Sequence, residues 1–405
     1  MSRRATRARF IERITGEVID DGLALFFPGP TSVTGEDVVE LHLHGSRAVL
    51  EAVTAILAAQ PGFRLAEPGE FTRRAFEHGK LDLTEAEAVA DLVAAETAAQ
   101  RRQALRQLDG ELGHLYDTWR ERLLRAGAHV EAVIDFPDED LPETLDAAVR
   151  DTVSALIEEI DRHLADNRRG EIVRDGVSVA ILGPPNVGKS SLLNALSQRD
   201  AAITSAIAGT TRDVIEVRLD LAGYPVILAD TAGLRVGRDA VEEEGVRRAR
   251  ARAADADLAL VVFDMTKPAE IAGLAEVAER ATILVANKLD LTTERDRAAC
   301  LARLPRAALP ISALTGEGMP VLLDRLAGAI RQRFAVGSDP VLTRARHRVA
   351  LAECVAALRR SLSASLPELA AEDLRLAIRA LGRITGRVDV EDILDIIFRD
   401  FCIGK

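Results

Sequence analysis

The sequence predicts an α/β domain with a parallel sheet, inserted into an α-helical bundle domain and preceded by a small α+β domain at the N-terminus. Three observations carry this. Between Gly176 and about Phe334, apolar runs of strand length (Val177–Leu182, Val226–Ala229, Leu258–Phe263, Ile283–Ala286) alternate with amphipathic stretches, the pattern of a parallel sheet covered by helices. On both sides of that region apolar residues recur every three or four positions, as in Leu105, Leu108, Leu112, Leu115 and Trp119 before it and Val349, Ala352, Val355 and Leu358 after it. Residues 17–45 instead alternate apolar and polar side chains between turn signals, as in Val38-Val39-Glu40-Leu41-His42-Leu43-His44-Gly45, which is strand texture.

Taken in order, the N-terminal domain spans residues 1–78. Thr84 with Glu87 three positions later opens a helix as a capping box, and the periodic stretch from Leu105 continues as one long helix until Asp135-Phe136-Pro137-Asp138 breaks it. A second helical stretch from about Glu143 to Asn167 completes the first helical part, 79–172. The α/β domain takes 173–335. Residues 336–405 return to helix, with Ile393, Leu394, Ile396 and Ile397 near the end, and the two helical parts share one bundle.

Composition sets outer bounds. The chain has 405 residues and a net charge of −12, with 48% hydrophobic and 29% charged residues, so it is too long for a single core and too apolar for a disordered chain. Aromatic residues are only 3%, which leaves the cores to Leu, Val, Ile and Ala and favours helix packing over a β-sandwich. No run reaches the ~18–20 apolar residues of a membrane span, and the opening MSRRATRARFIERITG has no apolar signal core; the expectation is a soluble, cytoplasmic protein without a membrane partner. Cys300, Cys354 and Cys402 lie far apart without metal-ligand spacing, which argues against a disulfide framework or zinc site. The acidic balance argues against a coat on nucleic acid while permitting RNA on a local basic face.

The chemistry is concentrated in the α/β domain. Gly183-Pro184-Pro185-Asn186-Val187-Gly188-Lys189-Ser190 fits the phosphate-loop pattern directly after an expected strand. Backbone N–H groups of such a loop cradle phosphates, Lys189 reaches the outer ones and Ser190 can ligate Mg²⁺. Asp230-Thr231-Ala232-Gly233 follows the run Val226–Ala229, where the Asp can hold the metal's water shell and Gly233 can approach the γ-phosphate. Thr210 and Thr211 lie between these motifs, where a switch loop would close over the metal. Asn287-Lys288-Leu289-Asp290 ends another strand. Asp290 can accept two hydrogen bonds from the ring N–H and amino group of guanine, a pair adenine does not offer, and Ser312-Ala313-Leu314 supplies a backbone N–H for the guanine oxygen. Five motifs in order predict a guanine-nucleotide site.

These motifs are those of the translation-factor-related GTPases. Ala208-Gly209-Thr210-Thr211-Arg212-Asp213 and Asp230-Thr231-Ala232-Gly233-Leu234-Arg235 resemble the MnmE (TrmE) family of tRNA-modification GTPases. So do Pro30-Thr31-Ser32-Val33-Thr34-Gly35-Glu36-Asp37 with His44-Gly45, Pro68-Gly69-Glu70-Phe71-Thr72 leading to Gly79-Lys80-Leu81-Asp82-Leu83, and the terminus Phe401-Cys402-Ile403-Gly404-Lys405. The resemblance covers nearly the whole chain. It implies a K⁺-stimulated hydrolysis of GTP to GDP and phosphate, in a homodimer that joins the flavoprotein MnmG in a heterotetramer and modifies carbon 5 of the wobble uridine of certain tRNAs. The modification is an aminomethyl or carboxymethylaminomethyl group, with 5-formyltetrahydrofolate as one-carbon donor on a folate-binding-type N-terminal domain.

Residue by residue, the resemblance and motifs together imply nucleotide contacts from Asn186, Val187, Gly188, Lys189, Ser190 and Ser191, then Ser205, Ala206, Ile207, Ala208, Gly209, Thr210 and Thr211, then Asp230, Thr231, Ala232 and Gly233, and from Asn287, Lys288, Asp290, Ser312, Ala313 and Leu314. Small signalling GTPases carry a Gln after the DxxG glycine; Leu234 stands here and cannot orient water. By resemblance K⁺ replaces an arginine finger on Asn186, Thr210 and the carbonyls of Ser205 and Ile207, with Mg²⁺ on Ser190 and Thr211. Glu242 would orient water through an intermediate, which makes Glu242, Lys189 and Thr211 the expected catalytic residues. On its own the Glu242-Glu243-Glu244 run reads as a solvated helix start, Asn186 equally as a turn residue, and Arg212 and Arg235 either as switch contacts or as exposed salt bridges.

Glu40, His42 and His44 share a strand face, as a metal site or, more simply, a half-exposed polar face. The resemblance instead makes Glu40, Lys80 and Lys405 folate contacts, the last only if the terminal helix packs on the N-terminal domain. Cys402 reads either as a thiol near the folate or as a buried cysteine. Family members open with an additional strand, helix and Gly-rich segment, where this chain has five Arg from Arg3 to Arg13; the expectation is an unpaired sheet edge, weakened folate binding and a weakened dimer. A competing reading is a ribosome-assembly switch related to Era, but no GXXG loop in a basic region follows residue 334.

Overall fold

The computed structural model describes residues 3–135, 143–198, 216–230, 256–267, 282–302, 307–334 and 340–388, together with 394, 397, 398 and 401. The chain divides into two compact units: Met1–Val93, Ala104–Leu164 and Arg346–Lys405 form the first, and Ala94–Gln103 with Ala165–Ala345 the second.

The first unit opens with an antiparallel sheet in the order β1 (Thr6–Ile11), β2 (Val18–Phe27), β3 (Val38–His42). Register is marked by Arg9 opposite Asp21, an ion pair of 3.2 Å, and by Leu23 opposite His42. Helix α1 (Arg47–Ala58) starts where Ser46 Oγ accepts the Val49 N–H, and α2 (Glu70–Glu77) follows. Helix α3 (Leu83–Ala94) corrects the expected capping box, which sits two residues earlier. Asp82 Oδ1 accepts from the Glu85 N–H at 2.8 Å and Glu85 Oε2 from the Asp82 N–H at 2.7 Å, while Thr84 Oγ1 donates to Asp82. Glu87 is thereby released from the helix end and buried.

The single long helix expected from Leu105 is two, α4 (Ala98–Leu108) and α5 (Glu111–Asp135). Gly110, at φ 84°, turns the chain between them. The apolar stripe changes accordingly: Leu112, Tyr116, Trp119, Leu123 and Ala126 are buried, and Leu105 is 41% exposed. Helix α5 packs against α6 (Glu143–Leu164), whose Val153, Leu156 and Ile160 are buried.

The second unit holds α7 (Arg169–Asp175), β4 (Val177–Leu182), α8 (Lys189–Ser197), β5 (Glu216–Leu221), β6 (Tyr224–Asp230), β7 (Leu258–Asp264), β8 (Ile283–Asn287), α9 (Glu294–Leu301), β9 (Ala308–Pro310) and α10 (Met319–Phe334). Its sheet has the order β5-β6-β4-β7-β8-β9, parallel except for β5, which pairs antiparallel with β6. The four anticipated strands are present. Alternate residues of β4 face opposite cores: Val179 and Ile181 pack with Leu192, Leu193 and Ile330, and Ala180 and Leu182 with Phe263 and Cys300. Burial on both faces explains the unbroken apolar runs.

The first unit resumes with α11 (Ala345–Ser363) and α12 (Pro367–Thr385), and α12 packs on α5. Pro367 starts α12 and Gly386, at φ 84°, ends it. Leu394, Phe398 and Phe401 pack with Leu83 and Ala86. Among the described residues no helix is long and apolar enough to cross a membrane.

Candidate functional site

Strands β4, β6, β7 and β8 run parallel, so their C-terminal ends lie on one side of the sheet. There they deliver Gly183, Asp230, Asp264 and Asn287, the side on which open α/β sheets bind ligands. The loop after β4 must pass close to its neighbours. A Cβ at Gly183 would lie 2.0 Å from the Val262 carbonyl oxygen, and one at Gly188, at φ 96°, 2.2 Å from Asn287 Nδ2. Both positions therefore demand glycine. Asn186 takes the left-handed conformation at φ 62°, which Asn tolerates best among residues with a side chain.

Gly188 caps α8 without a side-chain bond, and the first-turn N–H groups point out of the N-terminal end of the helix. Lys189, the first helical residue, is buried, and its Nζ donates to the carbonyls of Gly183 at 2.9 Å and Pro184 at 2.7 Å. Ser190 and Ser191 are exposed on the same first turn, while Val187 is buried beneath the loop. A close-fitting backbone cradle, a helix N-terminus and a buried ammonium together suit an anionic phosphate.

Asn287, 3% exposed, joins this loop to the segment that follows β9. Its Nδ2 donates to the Val187 carbonyl at 2.8 Å and its Oδ1 accepts the Ala313 N–H at 3.0 Å. Lys288, at φ 66°, turns its ammonium to Asp264 Oδ2 at 2.6 Å. Asp264, which no sequence pattern singled out, also accepts from the Thr266 N–H and hydroxyl. Burial raises its carboxyl pKa, but Lys288 and Thr266 outweigh that and hold it below the usual range. Its only sequence signal is an Asp closing an otherwise apolar strand.

Asp290 lies in a single 3-10 turn, Leu289–Leu291, exposed, with Oδ1 accepting from the fully buried Ser312 hydroxyl at 2.6 Å. The turn is tied to the next strand's extension by Leu289 N–H to the Ile311 carbonyl at 3.0 Å. Ala313 is nearly buried and Leu314 is 83% exposed. Thus Asn186, Val187, Gly188, Lys189, Ser190, Ser191, Asn287, Lys288, Asp290, Ser312, Ala313 and Leu314 gather on the phosphate loop, the end of β8 and the segment after β9. Asp230 closes β6 opposite Ile181. Ser205, Ala206, Ile207, Ala208, Gly209, Thr210, Thr211, Arg212, Thr231, Ala232, Gly233, Arg235 and Glu242 lie outside the described residues, as do Cys402 and Lys405.

In the N-terminal region Glu40, His42 and His44 separate into two pairs. His42 Nε2 lies 3.1 Å from Glu40 Oε2, whereas His44 Nδ1 lies 2.8 Å from Asp20 Oδ1, and its N–H donates to Asp20 Oδ2. These bonds from His44 hold the Asp20 carboxyl below its ordinary value. Among the described residues no group of three or more His, Cys, Asp or Glu could hold a metal ion. The Pro30–Asp37 loop meets the Gly79–Leu83 loop at Gly35, where a Cβ would lie 2.9 Å from His78 Cβ and 3.5 Å from Lys80 Cε. A Cβ at Gly69 would stand 3.0 Å from both Phe398 and Phe401, so these two residues pack on the Pro68–Gly69 turn.

Two family models match the chain: MnmE helical domain over residues 83–402 and GTP-binding protein TrmE N-terminus over residues 1–80. Among curated proteins, the chain is similar to the tRNA modification GTPase MnmE of Paramagnetospirillum magneticum, 60% identical over 404 residues that cover 100% of this chain and 90% of that protein. The Rhodospirillum rubrum protein of the same name is 58% identical over 396 residues, covering 96% and 85%. That of Parvibaculum lavamentivorans is 57% identical over 410 residues, covering 100% and 91%.

Proposed function

The chain belongs to the MnmE family of tRNA-modification GTPases, and from that premise we propose that it hydrolyses GTP to GDP and phosphate while acting with the flavoprotein MnmG on the wobble uridine of certain tRNAs. The observation that carries the nucleotide part is the bridge at Asn287. One buried amide fixes the loop built for phosphate relative to the segment built for guanine, so a nucleotide that spans both meets a site preorganised at each end.

In this reading the chain's own residues divide the work. Lys189 and the first-turn N–H groups of α8 hold the phosphates, and Asp290, braced by Ser312, reads the base. Mg²⁺ on Ser190 and Thr211 and K⁺ on Asn186, Thr210, Ser205 and Ile207 would neutralise charge that develops on the phosphates. Glu242 would orient water. Glu40, Lys80 and Lys405 would hold 5-formyltetrahydrofolate, a reading supported by the packing of Phe398 and Phe401 near the loops that carry the N-terminal motifs. The assignment of residues 1–78 to folate binding and dimerisation, 79–172 and 336–405 to one helical domain and 173–335 to the inserted GTPase domain, in a cytoplasmic homodimer, belongs to the same proposal.

GTP turnover by the full chain in K⁺ and in Na⁺, with a parallel 5-formyltetrahydrofolate titration, tests it. Turnover should be faster in K⁺, and Asn186→Ala should erase most of that difference. Equal rates in the two salts would remove the K⁺ site, and an absence of folate binding would remove the one-carbon donor.

A further inference from the structure

Asp264 closes β7 in register with Asn287, the last residue of β8. Both oxygens of its carboxylate have donors. Oδ1 accepts the Thr266 N–H at 2.9 Å and the Thr266 hydroxyl at 2.7 Å, which closes a turn over the strand end, and Oδ2 accepts the Lys288 ammonium at 2.6 Å. The backbone around it is fixed as well: the Met265 N–H donates to the Asn287 carbonyl at 3.0 Å and the Lys267 N–H to the Asp264 carbonyl at 3.0 Å. The Asp264 side chain is 4% exposed and that of Lys288 30%, so water competes little for the carboxylate.

What this pair does for the site follows from the place of Lys288 in the chain. It stands one residue after the amide that bridges the two loops and two residues before Asp290. Asp290 is exposed on its 3-10 turn, and one of its oxygens takes the Ser312 hydroxyl. An exposed carboxylate so near in sequence is an alternative partner for an ammonium on a flexible four-carbon stem. That pairing would put a cation on the group that must remain an acceptor for the ring N–H and amino group of guanine. In the structure the ammonium goes instead to the end of the neighbouring strand, with the Lys288 backbone at φ 66°.

We propose that Asp264 is a positioning residue for base recognition: by holding the Lys288 ammonium at the end of β7, it keeps that charge off Asp290 and leaves Asp290 open to a purine that carries two adjacent donors. Asp264 itself touches no nucleotide in this role; its effect passes through Lys288. The proposal rests on the guanine-nucleotide site put forward above and adds to it a residue outside the spaced motifs. Its size is bounded by the alternative pair. An ion pair between exposed groups is weak, so a released Lys288 would populate the closed form no more than about fivefold over the open one, and apparent affinity for the base falls by about that factor.

Asp264→Asn tests it in the full chain. The amide keeps an oxygen for the two Thr266 donors, so the turn is preserved while the partner of Lys288 is lost. GDP and GTP affinities should both fall about fivefold, and KM for GTP should rise by the same factor with kcat unchanged, because the phosphate end of the site is untouched. The deficit should shrink at about 1 M salt, which screens a pair between exposed charges. In an Asp290→Asn chain, which offers Lys288 no carboxylate, adding Asp264→Asn should leave xanthosine diphosphate affinity unchanged, whereas a merely structural role would weaken both nucleotides alike. Should Asp264→Asn fail to fold, Thr266→Val, at an exposed position, loosens the same carboxylate and should give a smaller deficit with the same salt dependence. A deficit that persists at high salt, or that appears equally in xanthosine diphosphate binding by the Asp290→Asn chain, overturns the inference. Failure of the unmutated chain to bind guanine nucleotides would remove the proposed site as well, whereas guanine binding indifferent to Asp264→Asn removes the positioning role alone.

Discussion

Asn287 has both halves of its amide committed to the protein, to Val187 on one side and Ala313 on the other, so its contribution to nucleotide recognition is to hold two loops at fixed separation. In the proposed function, base selection then falls to Asp290. Replacing its carboxylate by an amide turns one acceptor into a donor, which opposes the guanine amino group and suits the carbonyl of xanthine. Asp290→Asn should weaken GTP binding about 100-fold or more and bring xanthosine triphosphate binding into a measurable range, read by competition titration. A variant that still prefers GTP would place base recognition elsewhere. The Gly183–Ser190 and Asn287–Asp290 segments stood out in the sequence because each follows a strand-like run within a spaced pattern. Asp264 did not, since a single acidic residue after apolar ones has many explanations, and only the fold brings it within 2.6 Å of Lys288.

Among the elements, α3, α11 and α12 are fastened by one polar cluster. Glu87 of α3 accepts from Arg346 Nε at 2.7 Å and Nη2 at 2.9 Å, and His347 Nε2 lies 3.0 Å from the same carboxylate; Arg346 also donates to the carbonyls of Arg383 and Ile384. Burial raises the Glu87 carboxyl, but Arg346 and His347 overcome it and hold its pKa down to about 2, while burial, with Arg346, pushes His347 below its usual value. Both folded-state values lie below their ordinary ones. Their stabilising contributions are therefore complete above the ordinary histidine value of 6.5, with the His347 part lost as pH falls below it and the Glu87 part lost as pH falls from 4.5 toward about 2. Glu87→Gln should cost about 3 kcal/mol at pH 7 in urea melts, because it leaves the half-buried Arg346 guanidinium without its counter-charge. The deficit should shrink near pH 3; a pH-independent difference would show that charge is not its source. This cluster explains the displaced capping box. Asp82-Leu83-Thr84-Glu85 and Thr84-Glu85-Ala86-Glu87 both fit the pattern, and the choice is made by Arg346, 259 residues away in sequence. Long-range partners likewise hid β5, whose Val217, Leu219 and Leu221 are buried between exposed or half-exposed neighbours, and β9, three residues ending in proline. The division of α4 from α5 at Gly110 was obscured because apolar spacing continues across the turn.

At the scale of the whole molecule, the alternation of texture along the chain made both architectures legible, since parallel strands and helical stripes differ in period. What no local pattern showed is that α4 contributes its first half to one unit and its second half to the other. Two units with separate cores should unfold as separable events. Calorimetry of the full chain should resolve two transitions, and GDP at 100 times its dissociation constant should stabilise the sheet-containing unit by about 2.7 kcal/mol while leaving the other nearly unmoved. One transition that shifts as a whole would show the units to be cooperative. Trp119 gives the molecule an optical property of its own. It is the only tryptophan in the chain, buried on α5 with its indole N–H on Glu159 at 2.9 Å. Intrinsic emission excited at the red edge therefore comes entirely from the helix-rich unit. A fluorescence melt of this protein is blind to loss of the nucleotide-binding sheet, and a chain whose emission is unchanged can already have lost that half of its structure.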